Sequence, residues 1–141
     1  MKNNKVSKAY LDLILKKGTP SSLLKRCLCE GNANEFQKIV ELIKKRDEFL
    51  YIKESLFRKD YSLFENSKGI GISNNIEKTL LWFVNIILSY SNEINKYVEC
   101  RDDFENYILC DELEKAEDVL DYIDSNICVS FWSLKNRLLI N

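Results

Sequence analysis

The stretch INKYVECRDDFENYILCDELEKAEDVLDYIDSNICVSFWSLKNRLLI, residues 94–140, decides the fold. Its first part, Ile94–Leu109, carries apolar side chains at Ile94, Tyr97, Val98, Phe104, Tyr107, Ile108 and Leu109. After Cys110 and Asp111 the run ELEKAEDVLDYI resumes the spacing with Leu113, Ala116, Val119, Leu120 and Ile123. Recurrence every three or four residues places such side chains on one face of a helix. The two segments predict a helical hairpin. Ser130 then caps a third helix bearing Phe131, Trp132, Leu134, Leu138, Leu139 and Ile140. A helix pair buries its stripe only against a neighbour, so the stretch predicts a stacked helical scaffold.

The rest of the chain agrees. One proline and four glycines in 141 residues are too few for a turn-rich β sandwich and favour long helices. An apolar fraction of 45% beside 30% charged residues fits one soluble domain with its own core. A first helix is predicted from Val6 to Lys17, stopped by Gly18, and Thr19-Pro20 restart the chain as N-cap and first helical residue. The second helix ends at Gly31. Asn32 or Asn34 caps a third with the face Phe36, Ile39, Val40 and Ile43, and a fourth spans Glu48 to Lys59. Residues 60–73, with Gly69 and Gly71, form the clearest break, after which Asn74 or Asn75 caps a helix through Leu88. The expected fold is all-α, a multi-helix bundle or a short helical-repeat array of about seven to eight helices. It is read as a single domain, 1–141, divisible into halves 1–60 and 74–141 joined by loop 61–73.

Charge distinguishes those halves. Residues 1–70 hold 15 Lys and Arg against 9 Asp and Glu, and residues 71–141 hold 6 against 13. A basic half suits a phosphate backbone, an acidic half suits a basic partner, and both also suit solvated faces of one fold. The most hydrophobic run, Leu80–Leu88, is far shorter than the roughly 20 residues that span a bilayer, so a buried central helix is expected there and no membrane association. Five cysteines, an odd number without a CxxC pair, are read as reduced thiols of a cytoplasmic protein. The Lys, Ile and Asn bias suggests an AT-rich genome and a bacterial or phage source.

Residues Glu93–Asn141 resemble tetratricopeptide-like helical repeat units. The matching feature is the second-helix pattern in Asp111–Ile123, where the small Ala116 stands at a helix crossing and Val119 and Leu120 follow. The W-x2-L-G-x2-Y pattern of the first repeat helix is missing, as is the proline after the second. The resemblance implies a scaffold that holds another macromolecule rather than one that performs chemistry.

No histidine is present, which removes Ser-His-Asp and Cys-His nucleophilic sites and zinc-protease motifs together. The acidic residues of 102–118 lack a DxDxDG-type loop to converge them on a cation. Cys27-x-Cys29 has the wrong spacing for a zinc knuckle, and Gly69-Ile70-Gly71 completes neither phosphate-loop motif. The expectation is therefore a non-enzymatic chain with no catalytic residue, cofactor or metal.

Two binding readings follow. In the first, the chain is a protein–protein interaction module: an adaptor, a subunit of a larger complex, a self-associating protein, or a small inhibitor or immunity-type protein. Asp102, Asp103, Glu114 and Glu117 steer the partner, and Phe131, Trp132 and Leu139 anchor it. In the second, a nucleic-acid-associated helical protein uses Lys38, Lys44, Lys45 and Arg46, although Asp47, Glu48 and Glu54 interleave with that patch.

Overall fold

A computed structural model describes residues 6–61 and 75–140. The expected joining loop, 61–73, lies outside the described residues apart from Tyr61. The chain is all-α. Its eight α-helices among the described residues are α1 (Lys8–Ile14), α2 (Pro20–Glu30), α3 (Phe36–Lys44), α4 (Leu50–Leu56), α5 (Ile76–Ser89), α6 (Ser91–Leu109), α7 (Leu113–Tyr122) and α8 (Phe131–Ile140). Two compact units emerge, one built on α1, α2, α3 and α5, the other on α6, α7 and α8. The chain passes from the first unit to the second within α4, at Tyr51–Ile52, and again at Tyr90–Ser91. The units therefore divide the chain differently from the charge halves: α5 belongs with the N-terminal helices, and residues 52–61 belong with the C-terminal ones.

The first unit is punctuated by local chemistry. The Ser7 side chain accepts the Tyr10 N–H at 3.2 Å, and Thr19 caps α2 with Pro20 in the first turn. Asn32 and Glu35 form a capping box on a 3-10 turn that leads into α3. α1 ends before the expected Gly18 stop, because Lys16 itself takes a left-handed φ of 54°. α3 buries Phe36, Ile39, Val40 and Ile43, the expected face. Against it lies Trp82 of α5, fully buried, its ring 5.5 Å from Phe36 and nearly perpendicular. Asp12, buried on α1, is held by Arg26 of α2 at 2.6 Å.

The expected buried central helix at Leu80–Leu88 is corrected. α5 starts as read, with Asn75 accepting the Lys78 N–H at 2.9 Å, but it buries only one stripe: Thr79, Trp82, Ile86 and Tyr90. Helices α2 and α3 meet that stripe. Phe83 is half-buried, and Ile76, Leu80, Leu81, Val84, Ile87 and Leu88 are exposed, away from the stripe that α2 and α3 cover.

The second unit is the hairpin and its third helix. Asp111 takes a φ of 60°, a conformation Asp tolerates better than most residues, and the Glu112 N–H closes onto the Tyr107 carbonyl at 2.9 Å. This turn reverses α6 into α7. Phe104, Ala116 and Leu120 form the core, and Tyr107, Val119, Trp132 and Ile140 pack around them. After α7 a single π turn, Ile123–Ile127, buries both of its terminal isoleucines. Arg137 of α8 grips Asp121 and Asp124 at 2.8 and 2.9 Å, and the Val129 N–H donates to the Arg58 carbonyl at 2.7 Å. Ser130 caps α8 as expected, accepting the Ser133 N–H at 3.0 Å.

Candidate functional site

The most distinctive surface is the outer face of α5. Ile76, Leu80, Val84 and Ile87 recur along one line of the helix, with Leu81 and Leu88 beside it, and all six are between 45% and 75% exposed. A helix that is apolar all round is normally buried all round. Here an apolar outer face accompanies an apolar inner one. Contiguous exposed apolar surface of this kind marks interaction sites in soluble proteins.

A second such surface lies on α8. Phe131, Leu134 and Leu138 follow at intervals of three and four, and Leu139 is 69% exposed beside them. Trp132, expected at this edge, instead turns inward. Its ring packs edge-on against Phe104 at 5.2 Å and Tyr97 at 6.2 Å, and the Arg101 guanidinium lies 5.1 Å from its centroid. The inward face of α8 needs a large side chain to fill the space beside Phe104, and Trp132 supplies it. The exposed apolar set is thus Phe131, Leu134, Leu138 and Leu139.

The four acidic residues expected to steer a partner are all exposed, but they do not form one patch. Asp103 lines a shallow groove of about 370 Å³ between α6 and α7. Lys96, Cys100 and Tyr107 share its α6 wall, and Lys115, Asp118 and Tyr122 stand on its α7 wall. Each helix sets a lysine over the other's tyrosine: Lys96 lies 5.9 Å from the Tyr122 ring, and Lys115 lies 5.5 Å from the Tyr107 ring. Asp102, one residue along α6, points about 100° away from Asp103 by helical geometry. Glu114 and Glu117 stand on α7 outside the groove. Among the described residues no group able to hold a metal ion is present.

The basic patch is largely occupied by structural work. Lys44 donates to the Ser89 carbonyl at the end of α5, and its ammonium sits 4.6 Å from the Tyr90 centroid. Arg46 donates to the Leu13 carbonyl at 2.6 Å, at the end of α1, and pairs with Glu48 at 3.5 Å. Cations at helix C-termini satisfy orphan carbonyls and the negative end of the dipole. Lys38 on α3 and Lys45 just past its end remain exposed, with Glu41 between them in sequence. Replacing Arg46 with Met is expected to cost about 1–3 kcal/mol of stability, the range for a charged hydrogen-bond donor, as read by urea unfolding.

The cysteines are all free thiols. Burial pushes Cys27 up to about 11 from its ordinary 9.0, and its Sγ lies 3.8 Å from the Ala9 carbonyl. Burial raises Cys100 and Cys128 too. Cys29 and Cys110 are exposed. A chromogenic disulfide reagent at pH 8 is expected to label those two rapidly and the other three only after denaturation. Because the folded state holds Cys27 protonated where the unfolded chain ionises, stability contributed by this thiol falls as pH rises from 9.0 through about 11. A thermal melt series across that window checks the sign.

Among the described residues no helix is long and apolar enough to cross a membrane. No protein-family model matches the chain, and no curated protein or solved structure matches it.

Proposed function

We propose that this chain is a non-enzymatic protein–protein interaction module, acting as an adaptor, a complex subunit or a small inhibitor, in the cytoplasm. The observation that carries the proposal is the outer face of α5: six apolar side chains exposed on a helix whose opposite face is already the core of its unit. Burying large apolar side chains is worth about 1.5–3 kcal/mol each, so a partner covering this face gains substantial affinity. The exposed apolar edge of α8 offers a second contact. The exposed carboxylates Asp102, Asp103, Glu114 and Glu117, on the unit that carries α8, favour a protein partner that bears basic residues. Those charges set encounter rate and partner choice, and the apolar faces supply affinity.

The tetratricopeptide-like reading of Glu93–Asn141 belongs to the same proposal, with α6 and α7 as one helix pair and α8 stacked on it. The commitment of Lys44 and Arg46 to helix ends favours a protein partner over nucleic acid. Affinity purification of the tagged full chain from its native host, with nuclease treatment and mass spectrometry, tests this choice. A stoichiometric protein that survives nuclease supports the proposal. Recovery of nucleic acid alone, lost on nuclease treatment, overturns it.

A further inference from the structure

The unit of α6, α7 and α8 is acidic, yet three of its cations converge. Residues 52–61 and 91–140 hold 8 Lys and Arg against 14 Asp and Glu. Most of the others are engaged elsewhere: Arg101 with Glu105, Lys115 with Glu112, and Arg137 with Asp121 and Asp124. Lys53, Lys59 and Lys96, the last also paired with Glu99, line one cavity of about 300 Å³, with Asn92 and Asn126 as polar neighbours and Phe57, Tyr122 and Ile127 as apolar wall. Among the described residues of that lining Glu93 is the one acid, against three lysines.

The residues come from three separate segments, and the fold holds them in place. Lys59 is tethered by donation to the Ser125 carbonyl at 3.2 Å, within the π turn. Lys96 pairs with Glu99 at 3.4 Å and lies near the Tyr122 ring. Lys53 stands exposed on α4. Asn92 occupies the first turn of α6, a helix of 19 residues whose N-terminal dipole favours an anion. The volume is at the lower end of small-molecule sites, about 300–1,000 Å³, and apolar walls with a few convergent polar groups are the ordinary composition of such sites.

The geometry points to this cavity as a binding site for a phosphate monoester carried on a flat ring, a mononucleotide being the representative ligand. Lys53, Lys59 and Lys96 hold the phosphate as point charges. The Asn92 carboxamide and the second N–H of Asn126, whose first N–H is held by the Tyr122 carbonyl at 3.0 Å, donate hydrogen bonds, and the exposed Tyr122 takes the ring over an apolar floor of Phe57 and Ile127. This inference is independent of the protein-docking reading, since the apolar outer faces of α5 and α8 contribute no residue to the cavity.

The test is an amide NMR titration of the full chain with AMP, inorganic phosphate and adenosine, each up to about 10 mM, the range that detects weak binding. The expected result is saturable shifts at Asn92, Lys96, Tyr122 and Asn126 with AMP, at least ten-fold weaker binding of phosphate, and at least ten-fold weaker binding of adenosine. The double variant Lys53→Gln/Lys59→Gln should weaken AMP at least ten-fold while keeping a dispersed spectrum. Lys135→Gln, outside the cavity, should bind as the parent does. Should the double variant lose its fold, Lys53→Gln alone, an exposed position, carries the test with an expected loss of at least three-fold. No saturable shift with AMP, equal binding of AMP and phosphate, or undiminished binding by the folded lysine variant overturns the inference.

Discussion

Replacing Trp82 with Ala is expected to destabilise the protein by about 3–5 kcal/mol, the cost of emptying a large aromatic site in a packed core. Trp82 is fully buried and stacks edge-on against Phe36, so the void falls where α3 meets α5. The chain has little room to collapse there, because Ile39 and Ile86 are buried as well. Trp82→Phe should cost clearly less. It keeps an aromatic ring near Phe36 and removes an indole N–H that is buried without a hydrogen-bond partner. Leu80→Glu and Val84→Glu, on the opposite side of the same helix, should each change stability by no more than about 0.5 kcal/mol, the ordinary scale for surface positions. Chemical denaturation of the four variants reads the two faces of α5 directly. A large loss from the Glu variants would place the outer face inside a core.

Leu120→Ala is expected to cost about 2–5 kcal/mol, because Leu120 is fully buried in one cluster with Phe104 and Ala116. Its site lies where α6, α7 and α8 meet, with Trp132 and Ile140 leaning on the same cluster. The loss should appear as weakened near-ultraviolet circular dichroism from Trp132, together with a lower denaturation midpoint. Ala116→Leu should destabilise the same cluster from the opposite direction, by about 1–3 kcal/mol, since a fully buried small residue at a helix crossing leaves no room for a branched side chain. An Ala116→Leu protein as stable as the parent would mean that the close approach of these helices is not what the small residue serves.

Where the determining chemistry is local, the sequence was readable. Thr19-Pro20 and Ser130 cap helices as read, Asn32 and Asn75 are the ones used of the two pairs Asn32 or Asn34 and Asn74 or Asn75, and the hairpin of α6 and α7 follows from the interval between its apolar residues. The harder features depend on distant partners. A helix rich in Leu, Ile and Val announces apolar surface, but only its neighbours decide how much of it is covered, and among the described residues α2 and α3 meet the Trp82 side of α5 while six apolar side chains stay exposed. Lys44 and Arg46 read as a basic patch because the carbonyls they cap, at Ser89 and Leu13, lie 45 and 33 residues away. Phe131 and Trp132 both read as partner anchors, but neighbours on a helix diverge by about 100°, and it is Trp132 that packs against Phe104. The cavity of Lys53, Lys59 and Lys96 was invisible for the same reason, since its walls come from three segments.

The most direct test of the central claim is the affinity of the protein partner recovered from the native host, measured by calorimetry against the parent chain and two double variants. The account predicts that Leu80→Glu/Val84→Glu lowers affinity by about a hundred-fold or more, corresponding to some 2.8 kcal/mol, with the helical circular dichroism unchanged. It predicts that Lys38→Glu/Lys45→Glu leaves the affinity within about three-fold, these exposed cations lying outside the docking face. Full affinity in the α5 variant, with loss confined to the lysine variant, would contradict the account and return the binding function to the basic residues of α3.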